Sequence, residues 1–300
     1  MKFNNIDVIG CQLDMGAPKH GVSMGPLAIR YGGLIEGLSR LGYNVTDKGD
    51  VLPPTTGKSL DNMRFYEQVI SANKELHKRV FESLSCGNFP VVLGGDHSIA
   101  AGSCSAVSNF YKDKGGIGVI WIDAHGDWND EHTTPSGNMH GMPFSALCGY
   151  GPDMLVSYDE KPNFVNVKNA VVIGARDIDR EEGIRMREAG VNVFPINVID
   201  KMGMDAVIKE AVKIASKGTA GIHLSFDIDS ITPEAAPGTG TIVPAGLTPR
   251  EAYLALETLA ESGKLLSMDM VEVNPILDNH NMTGILAARL IQSALGEIVY

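Results

Sequence analysis

Short apolar runs alternate along the chain with longer stretches in which apolar residues recur every three or four positions. The short runs cover residues 7–10, 91–95, 117–122, 170–174, 222–226 and 265–271. Their largely apolar character suits parallel strands covered on both faces. The longer stretches predict helices. Residues 60–84 carry apolar positions at helical spacing with no internal Gly or Pro, and residues 204–215 repeat small and branched apolar side chains. Thr248-Pro249-Arg250-Glu251 reads as a helix start, with Thr248 as N-cap, Pro249 at the first helical position and Glu251 closing a capping box. A last helix is predicted over 282–295.

This rhythm predicts an α/β fold: a single three-layer domain over residues 1–300, a mainly parallel β-sheet with helices on both faces. No internal repeat, low-complexity tract or long linker interrupts it. In such sheets chemistry collects at the carboxyl ends of the strands. The polar residues that follow each apolar run are therefore the informative ones.

The run 117–122 leads directly into Asp123-Ala124-His125-Gly126-Asp127. If the chain stays extended, alternation puts Asp123, His125 and Asp127 on one side, where they can converge. The run 222–226 leads into Asp227-Ile228-Asp229, a pair of carboxylates that repel unless a cation or proton lies between them. The run 91–95 leads into Asp96-His97-Ser98, with Gly94 and Gly95 permitting a tight turn or a close approach. Each segment alone could be an ordinary polar turn. Together, His97, Asp123, His125, Asp127, Asp227 and Asp229 offer four carboxylates and two imidazoles without a thiolate. Hard oxygen donors with a minority of nitrogen favour manganese, magnesium or iron over structural zinc. Four carboxylates balance two divalent ions, and such a pair can generate hydroxide near neutral pH, a hydrolase's nucleophile. No Walker-type phosphate-binding loop competes.

Further along, Thr134-Pro135-Ser136-Gly137-Asn138-Met139-His140-Gly141 forms a loop of small polar residues. His140 suits proton transfer near neutral pH. Ser136, Asn138 and the earlier Asn129 offer neutral hydrogen bonds to a carboxylate, while Glu272, after the run 265–271, could pair with a planar cation. His20, His77, His132, His223 and His280 lack ligand-type neighbours and read as ordinary histidines.

Composition narrows the classes. With 44% hydrophobic residues the chain can bury a sizeable core, and its net charge of -11 argues against nucleic acid as a partner, since phosphate backbones need basic stripes. That charge suits a cationic small molecule or metal ions, and equally serves solubility. No apolar run approaches the roughly 18 residues of a membrane span, and residues 1–6 lack the pattern of a signal peptide. The four cysteines are scattered without CxxC spacing, as expected of free thiols in the cytoplasm.

Gly94–Ser98, Asp123–Asp127 and Ser225–Asp229 resemble, in order, the signatures of the ureohydrolase family, and the likeness runs from Gly21-Val22-Ser23-Met24-Gly25-Pro26 to Glu272-Val273-Asn274-Pro275. The loop 136–143 and Asn129 resemble its arginine-hydrolysing branch. The resemblance implies two manganese ions per subunit, with cobalt, nickel or iron as substitutes. His97, Asp123, Asp127 and Asp227 would hold one, and His125, Asp123, Asp227 and Asp229 the other. It further implies attack of the bridging hydroxide on a guanidinium carbon, turning L-arginine into L-ornithine and urea. Asp127 would pass a proton to the leaving amine, and His140 would be the shuttle. Glu272 and Thr241 would stand at the guanidinium, Asn129, Ser136 and Asn138 at the α-carboxylate, and Asp179 and Glu182 at the α-amino group. A homo-oligomer, trimeric or hexameric, is also implied. Agmatine, which lacks the α-carboxylate, or a guanidino acid is the alternative substrate. Thr232, Trp128 and Ile242 depart from the family pattern, and Thr232 stands where many members carry an outer carboxylate that tunes metal affinity.

Overall fold

Alternation along buried strands divides their side chains between two cores. In the computed structural model, which describes residues 3–158 and 161–298, Ile120 and Ile122 face one core while Val119 and Trp121 face the other. The described residues form eight strands: β1 (Asn5–Cys11), β2 (Asn44–Val51), β3 (Phe89–Leu93), β4 (Gly118–Ile122), β5 (Ala170–Ile173), β6 (Asn192–Phe194), β7 (Ile222–Asp227) and β8 (Leu265–Val271). They pair in one sheet, all parallel, in the order β2-β1-β3-β8-β7-β4-β5-β6.

The helices are α1 (Gly25–Tyr31), α2 (Leu34–Arg40), α3 (Tyr66–Ser85), α4 (Ala100–Phe110), α5 (Pro143–Leu147), α6 (Arg180–Ala189), α7 (Ile196–Met202), α8 (Met204–Ala215), α9 (Pro249–Glu261) and α10 (Met282–Ala294). α1, α2, α7, α8, α9 and α10 pack on one face of the sheet. α3, α4 and α5 pack on the other, with Met186 of α6. Among the described residues no helix is long and apolar enough to cross a membrane.

Local chemistry explains where the sequence pattern succeeds and where it stops. α9 starts as expected: Thr248 Oγ1 accepts from the Glu251 N–H at 3.3 Å, and the Thr248 N–H donates to Glu251 Oε2 at 2.8 Å. The helix expected over 60–84 begins at Tyr66, because Leu60 and Met63 form a bridge and Asp61 and Phe65 adopt φ of 47° and 52°. β2 and β6 left no apolar run to detect. They are the sheet edges, and their side chains are mostly half-buried or exposed. α4 was hidden by its small residues, which let it approach α3 closely: a Cβ at Gly102 would come within 2.6 Å of the Asn73 carbonyl oxygen.

The sheet order places four strands, β3, β8, β7 and β4, side by side at its centre. Their carboxyl ends carry the polar segments 94–98, 272, 227–229 and 123–127, at the position where open parallel sheets bind ligands.

Candidate metal centre and substrate cleft

The same local device closes three of these strands. Asp96 Oδ1 accepts from the Ser98 N–H at 3.0 Å, Asp123 Oδ1 from the His125 N–H at 2.7 Å, and Asp227 Oδ1 from the Asp229 N–H at 2.8 Å. Each aspartate bonds the backbone two residues on, turning the chain at the strand end. The extended conformation expected for 123–127 is therefore not found. β4 ends at Ile122, and Asp127 sits in the left-handed region at φ 47°. Asp123, His125 and Asp127 are gathered by a turn rather than by alternation. Glu272 also adopts a left-handed conformation, at φ 62°. Such a backbone costs a non-glycine residue about 1–2 kcal/mol, so the surrounding structure must hold it.

The gathered donors form two buried groups that share Asp123: His97, Asp123 and Asp127, and Asp123, His125 and Asp229. His97 Nδ1 lies 3.1 Å from Asp123 Oδ2, 3.0 Å from Asp127 Oδ2 and 3.1 Å from Asp227 Oδ2. His125 Nδ1 lies 3.1 Å from Asp229 Oδ2 and 3.3 Å from Asp123 Oδ1. His97 stacks on Trp121 with ring centroids 4.1 Å apart, and Trp121 Nε1 donates to Asp123 Oδ2 at 2.9 Å.

This arrangement fits cations. One ring nitrogen carries at most one proton and cannot answer three carboxylate oxygens. Asp127 Oδ2 lies close to His97 but makes no hydrogen bond and is otherwise buried without a partner, as is His125 Nε2. Burial and the charges of Asp229 and Asp123 push the Asp227 carboxyl well above the ordinary range. Burial and Asp123 push Asp127 up to about 6. Asp123 moves the other way: burial raises it, but hydrogen bonds with His125 and His97 outweigh that and hold it well below. The carboxylates thus resist ionising together, and divalent charge among them removes that resistance.

Above the donors opens a cleft of about 200 Å³ lined by His125, Asp127, Asp227, Asp229, Asn129, Ser136, Asn138, His140, Asp179, Glu182 and Thr241, with Asp177, Thr134, Pro135 and Gly141. Asn129 Nδ2 donates to Asp179 Oδ2 at 3.2 Å, leaving its buried Oδ1 without a partner. Asp179 caps α6 in a second capping box, its N–H donating to Glu182 Oε2 at 3.0 Å, while Glu182 Oε1 accepts from the Trp128 N–H at 2.7 Å. Burial pushes Glu182 up to about 7, helped by the charge of Asp127 and opposed by the Trp128 N–H.

Glu272 stands behind this lining. Its Oε1 accepts from the His97 N–H at 2.9 Å and lies 3.1 Å from His140 Nδ1. Burial works against a charged His140, but the hydrogen bond and charge of Glu272 outweigh it and raise the imidazole to about 9.

Several residues here escaped the sequence reading. Asp177 lines the cleft and had only its position after β5 to signal it. Arg176 donates to the carbonyls of Asp229 and Ser230 and fastens that turn to the chain at Val243 and Pro244. His223 is buried in a hydrogen-bonded network with Asp269 and Ser267, whereas His132 is exposed beside Glu131. Trp128 fills the space between Phe144 and Tyr150. Thr232 pairs with the exposed Glu234, and Ile242 lies at the surface.

Fold and donor set together define a class: a parallel α/β protein with a dinuclear metal centre at the carboxyl edge of its sheet. Known proteins agree. The Arginase family matches residues 4–296. The arginase of Brevibacillus brevis is 43% identical over 295 residues, covering 98% of each chain. The arginase of Bacillus caldovelox superposes with a TM-score of 0.94 at 40% identity, over 99% of this chain and 100% of that one. The arginase of Entamoeba histolytica, solved in complex with L-ornithine, gives 0.91 at 32% identity, over 99% and 100%. The chain belongs to the Arginase family.

Proposed function

We propose that the protein hydrolyses the guanidinium group of L-arginine to give L-ornithine and urea. The observation that carries this reading is the pair of buried donor groups sharing Asp123 on the floor of an acidic cleft. His97, Asp123, Asp127 and Asp227 hold one divalent cation, and His125, Asp123, Asp227 and Asp229 hold the other. Bound there, the pair supplies Lewis acidity and lowers the pKa of water toward neutrality. Oxygen-rich donors suit manganese, with cobalt, nickel or iron as substitutes.

The chain's own groups do the rest. Asp127 receives a proton and passes it to the leaving amine. His140, partly exposed and tied to Glu272, carries protons between cleft and solvent. Glu272 and Thr241 orient the guanidinium. Asn129, Ser136 and Asn138 read the α-carboxylate with neutral donors, and Asp179 and Glu182, joined by Asp177, meet the α-ammonium. The acidic rim also favours a cationic substrate over an anionic one.

Urea release from arginine, agmatine and guanidinobutyrate, with each metal added in turn, tests the assignment. Arginine turns over fastest if the rim reads a carboxylate. Faster turnover of agmatine would replace arginine with a decarboxylated guanidine as the substrate.

Free thiols at Cys11, Cys86, Cys104 and Cys148 support a cytoplasmic setting. Exposed Leu27 and Tyr31 on α1 and Ile285 on α10, two helices that pack against each other, support self-association, for which the family resemblance implies a trimer or hexamer. A light-scattering mass of one chain would exclude that assembly.

A further inference from the structure

Two central strands carry polar residues where the sheet is fully buried. Along β7 and β8, Leu224, Phe226, Met268 and Met270 join one hydrophobic core. The alternate positions hold His223, Ser225, Ser267 and Asp269, all buried. Pairing sets His223 beside Ser267 and Ser225 beside Asp269, and the next residue on β7 in this row is Asp227. A column of polar side chains thus runs inside the sheet up to the proposed metal centre. Apolar residues would pack such positions without the cost of dehydrating polar groups.

The column has a direction. Asp269 is acceptor-only when ionised. Its Oδ1 accepts from Ser225 Oγ at 2.5 Å, and its Oδ2 accepts from Ser103 Oγ at 2.6 Å and meets His223 Nε2 at 3.1 Å. His223 Nδ1 in turn meets Ser267 Oγ at 2.7 Å. Burial works against an ionised Asp269, but His223, with the Ser103 hydroxyl, outweighs it and holds its carboxyl below the ordinary range. The Ser225 hydroxyl has one hydrogen, and Asp269 takes it. The Ser225 oxygen can then only accept from His97 Nε2, 2.8 Å away.

We infer that Asp269, acting through Ser225, fixes His97 in the Nε2–H tautomer and so aims its Nδ1 lone pair at the cation enclosed by Asp123, Asp127 and Asp227. Ser225 and Asp269 are positioning residues, and the inference rests on the metal centre proposed above. Without the lock, the proton can sit on Nδ1, which has three carboxylates to attract it and then cannot ligate.

The test uses Ser225→Ala, which deletes the acceptor, and Asp269→Asn, whose amide can turn either face to Ser225 and no longer imposes a direction. Ser225→Thr restores the hydroxyl. Ser267→Ala, at the far end, leaves Asp269 its other donors and serves as the control.

Manganese affinities are measured by competition with a chelator, and the His97 tautomer by nitrogen NMR of the metal-free protein labelled at histidine. The spectra are taken at a pH high enough that the ring is neutral, since the carboxylates of Asp123, Asp127 and Asp227 outweigh burial and hold the imidazole well above its ordinary range. Thermal melts show that each variant folds. The expected result is a 10–100-fold weaker cation at the His97 group in Ser225→Ala and Asp269→Asn, with the His125 group within about threefold of the parent. Ser225→Thr recovers the affinity, and His97 shows a single Nε2–H form only in the parent, Ser225→Thr and Ser267→Ala.

Equal weakening of both cations, or folded Ser225→Ala and Asp269→Asn proteins that keep parental affinity and tautomer, would overturn the lock. A parent that binds no divalent cation would instead sink the metal reading, and the NMR comparison would still decide whether Ser225 sets the tautomer.

Discussion

Arg176→Met removes a guanidinium while keeping most of its apolar stem. The nitrogens of Arg176 donate to the carbonyls of Asp229 and Val243 at 2.8 Å each, Pro244 at 3.0 Å, Ser230 at 3.2 Å and Gly174 at 3.4 Å. The side chain therefore ties the turn carrying Asp229 to the chain at Val243 and Pro244 and to Gly174 just past the end of β5. Hydrogen bonds to a charged group contribute about 1.5–3 kcal/mol each, but the longer ones here are weak and the site is partly open to water. Counting the two shortest fully and neglecting the rest, the loss is about 3–6 kcal/mol. Arg176→Lys should recover less than half, because a single ammonium cannot reach the same spread of carbonyls. Urea denaturation of the metal-free protein measures the stability. A titration with manganese should show weaker binding at the group containing His125 and Asp229, while the group containing His97 holds. A stability change below about 0.5 kcal/mol, typical of an ordinary surface substitution, together with unchanged binding would refute the reasoning.

Three other outcomes follow from the same geometry. His140→Ala should lower turnover by about 10²–10⁴-fold and leave metal content unchanged, so loss of metal on elemental analysis would show that His140 has been misassigned. Trp128 is fully buried against Phe144 and Tyr150. Trp128→Ala should cost about 3–5 kcal/mol in a chemical melt of the metal-free protein, and a near-neutral effect would mean that the neighbouring loop collapses into the space. Stripping divalent cations with a chelator should lower the melting temperature, and restoring manganese at a hundred times its dissociation constant should return about 2.7 kcal/mol. A melt indifferent to metal would contradict the electrostatic argument for the donor cage.

Local pattern determined a good deal of this protein. Periodicity marked the six interior strands, since strands covered on both faces are largely apolar and read as short runs. The Thr248–Glu251 capping box was legible too, as were the six candidate donor side chains that the structure gathers together, because hydrogen-bonding type and ligand chemistry belong to the residues themselves. The edge strands β2 and β6 were not legible, since a half-solvated strand need not be apolar. Nor was the turn that brings Asp127 to its neighbours: a left-handed φ at an aspartate is a conformation that surrounding contacts must impose. His223 looked ordinary because its partners lie far along the chain. Ser225 meets Asp269 across 44 residues and His97 across 128. Those meetings depend on which strands pair and in what register, and register is settled by the packing of the whole sheet.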